Sequence, residues 1–174
     1  MLQKWVAPLD PQYIASGTAL ASSTSLTDVS PTPNKLIPAN FLLPGMRIKV
    51  RAACSFSTTA TPTLLVGVYY GGVAGTALAA TSAVTTGTAT AWPLTLWYEG
   101  TVRTIGSTGT IMGYGFVDLG TSLTAYTHRP IPETALATVT IDTTASKAIT
   151  LGAQWGTSSA SNTLTCVDFT VEIA

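Results

Sequence analysis

The side chains able to do chemistry are few and scattered. In 174 residues there are one histidine, two cysteines and eight carboxylates. His128 sits in Tyr126-Thr127-His128-Arg129-Pro130-Ile131-Pro132-Glu133, a Pro-rich stretch that reads as a surface loop. A Ser-His-Asp triad would have to use it, and the chain has no Gly-x-Ser-x-Gly elbow to supply the nucleophile. Glycoside hydrolysis needs two carboxylates held at a set separation. Asp10, Asp28, Glu99, Asp118, Glu133, Asp142, Asp168 and Glu172 are spread along the chain and read as solvated groups. None of them are spaced as in a calcium loop. Cys54 and Cys166 are far apart and have no C-x-x-C spacing, so a zinc site built from them and His128 would draw on unrelated regions. Gly71-Gly72-Val73-Ala74-Gly75-Thr76 has the glycines of a phosphate loop but not its lysine, and reads as a hairpin turn. The expectation is a protein that is not an enzyme, with no catalytic residue, cofactor or metal.

Binding is better served. In Arg47-Ile48-Lys49-Val50-Arg51-Ala52 the charged and apolar residues alternate, which puts Arg47, Lys49 and Arg51 on one face of a strand. That stripe keeps a sheet soluble or docks on an acidic partner. Trp92, Trp97 and Tyr98 could form an aromatic platform for sugars, although aromatics at strand spacing are more often core. Trp5, Leu9, Tyr13 and Ile14 make the first residues an apolar arm. Pro8 and Pro11 keep that arm from regular strand pairing, and buried Trp anchors are common at interfaces.

The elements that must carry these residues are strands. Apolar residues recur with a period of two, Thr, Val, Ile, Tyr and Trp dominate, and Gly and Pro punctuate at short intervals. Strands are expected at 18–29, 46–56, 63–70, 76–85, 90–105, 110–116, 136–141, 148–155 and 163–173. Trp92, Leu94, Leu96 and Tyr98 should face one side. In the last strand Leu164, Cys166, Asp168, Thr170 and Glu172 should lie opposite Val167, Phe169, Val171 and Ile173. The expected architecture is an all-β, antiparallel, jelly-roll-like β-sandwich over residues 17–174, preceded by an extended arm over 1–16. Closure of such a fold would place the strands of Cys54 and Cys166 side by side, as buried thiols or as a disulfide.

Composition limits the partners. Charged residues make up 9% of the chain, against about 25% in ordinary globular proteins. So few charges protect poorly against association, which points to a surface covered by partners or by copies of itself. The formal net charge is zero, which argues against nucleic acid and against an anionic membrane as partners. The first residues lead into Pro8 and Asp10 rather than an apolar run, so no secretory leader is expected.

Three stretches resemble a known family. They are Leu36 to Thr58, with Pro38-Ala39-Asn40 ahead of Pro44-Gly45; Trp92 to Gly115, with its Thr101-to-Thr110 hairpin; and Ile149 to Ala174, with Trp155-Gly156 and Asn162-Thr163-Leu164-Thr165. Together they resemble the structural proteins of tailed bacteriophages, of the head decoration and minor tail types. The resemblance implies a jelly-roll virion protein, commonly a trimer, made in the host cytoplasm. A compact body with a short arm favours a capsid decoration protein on the outer shell, with the major capsid protein as partner. The contact residues would be Trp5, Leu9, Tyr13, Ile14, Arg47, Lys49 and Arg51. The alternative is a tail-fibre or receptor-binding module that recognises a host surface polymer.

Overall fold

Alternating apolar residues make a strand only when a second layer covers the apolar face, and here two sheets cover each other. A computed structural model of the chain describes residues 7–8, 15–33, 35–121 and 125–174. In chain order the strands are β1 (Ala7–Pro8), β2 (Thr27–Asp28), β3 (Lys35–Ile37), β4 (Arg47–Thr58), β5 (Thr63–Tyr70), β6 (Thr76–Ala80), β7 (Val84–Thr85), β8 (Ala89–Thr104), β9 (Gly109–Gly120), β10 (Tyr126–Ile131), β11 (Val139–Ile141), β12 (Lys147–Trp155) and β13 (Thr163–Ile173).

The larger sheet has the order β1-β13-β4-β8-β9-β10, with β11 also on β9. The smaller has the order β2-β12-β5-β6, with β3 on β12 and β7 on β5. All pairings are antiparallel. The chain passes back and forth between the sheets, and its last strand lies between the first strand and β4. This is a jelly-roll-like sandwich, widened at one edge by β9, β10 and β11.

The inner faces form one core. Ile48, Val50, Cys54, Phe56, Leu94, Leu96, Tyr98, Ile111, Val117 and Leu119 come from the larger sheet. Leu64, Val66, Val68, Ile149, Leu151, Ala153 and Trp155 come from the smaller. Tyr98 and Trp155 are fully buried. The Tyr98 ring runs over the paired glycines Gly100 and Gly113, where a Cβ on either would collide with its hydroxyl.

Several expected elements change on folding. The 18–29 strand is reduced to a bridge at Leu20, opposite Leu164, and to β2, because the chain here crosses from one sheet to the other. The 76–85 strand breaks into β6 and β7 where the Thr81 hydroxyl accepts the Val66 N–H in place of a strand neighbour. Only Val139–Ile141 of the 136–141 strand pairs, against Ile111 to Gly109. His128 lies in strand β10 rather than in a loop, opposite Asp118.

The alternation expected along 163–173 is also corrected. A register shift between Cys166 and Asp168 turns Val167 out and reverses the phase. Leu164 and Cys166 before it, and Phe169, Val171 and Ile173 after it, therefore all face the core. Asp168, Thr170 and Glu172 are left on the outer face.

Candidate interaction surfaces

The outer face of the larger sheet holds two of the expected features. Arg47, Lys49 and Arg51 share it, while Ile48, Val50 and Ala52 turn inward, as alternation requires. The stripe is balanced by acids. Arg47 Nη1 lies 2.9 Å from Glu99 Oε1, and Lys49 sits between Glu99 and Glu172 in the strand register. Arg51 has Thr170 on one side and Trp97 on the other.

The expected aromatic platform divides. Tyr98 turns into the core, and Trp92 packs half-buried against Phe56 at 6.5 Å. Trp97 alone of the three lies on the outer face, where it finds partners the sequence did not connect. It stacks on Phe116 at 5.6 Å and meets Tyr114 edge-on at 5.6 Å. Phe116 in turn meets His128 at 5.2 Å, whose Nδ1 is 2.7 Å from Asp118 Oδ1. Tyr114, Trp97, Phe116 and His128 thus form an aromatic strip across three strands. Beside it, β10 and β11 both pair with the same edge of β9 and, among the described residues, leave 112–114 unpaired there. An open cleft of about 640 Å³ lies alongside, lined by Tyr114, Arg129, Pro130, Glu133 and Leu136 among others.

One end of the sandwich carries a feature absent from the sequence reading. The loops 38–46, 105–108 and 142–146 meet there, and Thr143 ties them together. Its carbonyl accepts the Asn40 N–H at 2.8 Å, its N–H donates to the Gly106 carbonyl at 3.0 Å, and its hydroxyl accepts the Gly106 N–H at 2.8 Å. From the side, the Tyr70 hydroxyl donates to the Asp142 carbonyl at 3.1 Å. Burial, and secondarily the Asp142 charge, pushes this phenol up to about 12. The Asp142 carboxylate accepts from the hydroxyl and N–H of Thr144, which hold it below its ordinary range.

This network fixes a loop in which Leu42 plugs the core, at 1% exposure, and Met46 packs half-buried against it, while Phe41 and Leu43 point outward at 44% and 51%. Ile105 stands out at 48% on the adjoining loop, and Leu36 at 55% on β3, the strand that leads into loop 38–46. The signal was available: three consecutive apolar residues bracketed by Pro38 and Pro44 cannot all enter one core.

Trp5, Leu9, Tyr13 and Ile14 lie outside the described residues. Their neighbours Ala7 and Pro8 pair with Ile173 and Glu172 of β13, a two-residue strand at a sheet edge, where proline is tolerated. Among the described residues no three His, Cys, Asp or Glu side chains converge as a metal site would require. The chain matches no family model, no curated protein and no solved structure.

Proposed function

We propose that this chain is a non-catalytic structural protein of a virion, which decorates an assembled shell and stabilises it by binding. The observation that carries the proposal is the apolar end: Phe41, Leu43 and Ile105 are exposed on loops that Thr143 ties together, and Leu36 is exposed on β3, which runs into the first of these loops. Large apolar side chains left exposed at one end of a domain suit a docking site, and loops already held in place dock at little cost in conformational entropy. The occupant is the outer surface of the shell protein, with the apolar arm residues Trp5, Leu9, Tyr13 and Ile14 and the Arg47, Lys49, Arg51 stripe as further contacts, and with a trimer as the working unit. A protein that binds the assembled shell and not its free subunits stabilises the shell by mass action.

Docking on shells that lack this protein tests the reading. The substitutions Phe41→Asp and Leu43→Asp fall on exposed side chains, so the melting temperature should stay unchanged. Each anchor is worth about 1.5–3 kcal/mol when buried, so the double variant should lose at least about a hundredfold in affinity. A double variant that still saturates shells like the wild type refutes the docking surface.

The aromatic strip favours a second reading, a module that binds a host surface polymer. Exposed aromatic side chains beside polar groups suit sugar rings, which offer apolar faces and hydroxyls. Binding on a glycan array that is lost in Trp97→Ala, with shells left bare, would select it.

A further inference from the structure

Cys54 on β4 and Cys166 on β13 are direct cross-strand partners. Both are free and buried, at 4% and 0% exposure. Cys166 Sγ donates to the Asp168 carbonyl at 3.2 Å. Directly opposed residues of an antiparallel pair have Cα atoms about 4.5 or 5.5 Å apart. Both values fall within the range of about 4.4–6.8 Å that a disulfide spans.

We propose that Cys54 and Cys166 are a latent staple, a buried dithiol that a small-molecule disulfide such as oxidised glutathione converts into an intramolecular disulfide. One cysteine thiolate attacks the oxidant and forms a mixed disulfide, releasing one small thiol. The second cysteine attacks the mixed disulfide, forms the Cys54–Cys166 bond and releases the second small thiol. Two protein S–H bonds are thus exchanged for one S–S bond, and the oxidant takes up both electrons and both protons.

The closed fold slows the first step. The adjoining Cys166 thiol and burial hold the Cys54 proton well above the usual thiol range, so thiolate is scarce. Exchange therefore runs through transient opening of β13. Its outer edge is held beside Cys166 by the Gly17 N–H to the Cys166 carbonyl and by the Leu20–Leu164 bridge. The bond would tie β13 to β4 and close a loop of roughly a hundred residues. This chemistry does not depend on the shell-binding proposal. If that proposal holds, the bond would form after virions leave a reducing cytoplasm.

The test uses the full chain, refolded from denaturant in parallel in reducing buffer and in oxidised glutathione. Peptide mapping of the oxidised monomer should find Cys54 joined to Cys166, with native β-sheet circular dichroism. Its Tm should exceed that of the dithiol form by roughly 10 °C. In Cys54→Ala and Cys166→Ala that difference should vanish. Native protein should oxidise slowly at low temperature and faster as it approaches its transition. A refolded monomer that keeps both thiols, or a disulfide form that melts below the dithiol form, overturns the proposal without needing either variant.

Discussion

At the scale of single residues, the tyrosines inside the sandwich are the most exacting fit. The Tyr98 ring fills a slot that exists because residues 100 and 113 have no side chain. Gly113→Ala should force the ring aside and cost about 1–3 kcal/mol, read as a lower urea midpoint with an unchanged m-value. Alkaline pH should expose the same packing. Burial raises the phenols of Tyr69, Tyr70 and Tyr98, that of Tyr70 from 10.0 to about 12. A raised folded-state value means that the fold favours the neutral phenol. Its contribution is therefore complete below pH 10 and lost as pH rises from 10 through about 12. Unfolding midpoints should fall across that window, and a flat profile to pH 12 contradicts the account. That Tyr98 points inward follows from its even spacing with Leu94 and Leu96. The glycine slot does not, because it depends on which strand lies beside β8.

At the scale of elements, two devices go beyond simple alternation. The first is the phase change in β13. Its apolar residues switch from even to odd positions at Cys166, which a continuous strand cannot satisfy and a bulge can. The second is the latch across the open side of the sandwich, where β10 faces the β6–β7 turn. Glu133 Oε2 accepts the Ser82 N–H at 3.0 Å and the Ser82 hydroxyl, and Glu133 Oε1 lies 3.8 Å from Arg129 Nη1. Glu133→Ala leaves the Ser82 donors and the Arg129 charge without their acceptor. Because Ser82 is exposed and its donors can turn to water, the cost should be about 0.5–1.5 kcal/mol, and hydrogen exchange should show the loss concentrated in β6, β7 and β10. Sequence separation concealed this contact, since Ser82 in the β6–β7 turn and Glu133 just after β10 meet only when the two sheets pack together. The strand of Thr63–Tyr70 and the facing of Arg47 to Ala52 were legible, because each alternates or runs apolar between clear turn signals.

At the scale of the whole molecule, the layered β architecture was legible from periodicity and punctuation, and the neighbouring strands of Cys54 and Cys166 from the closure that architecture implies. Of the apolar end only the run Phe41-Leu42-Leu43 between two prolines was visible; its place beside two other loops was not, because three distant loops converge on Thr143. The aromatic strip was hidden for a similar reason: Trp97, Phe116 and His128 come together only through strand register. The proposed function has this weakly charged sandwich, with its exposed apolar end, covered by a shell. The measurement that tests this most directly is quantitative mass spectrometry of purified virions separated into heads and tails. The account predicts the protein on heads, at a copy number comparable to that of the major shell protein. Its absence from virions, or its confinement to tails at low copy number, would contradict the account.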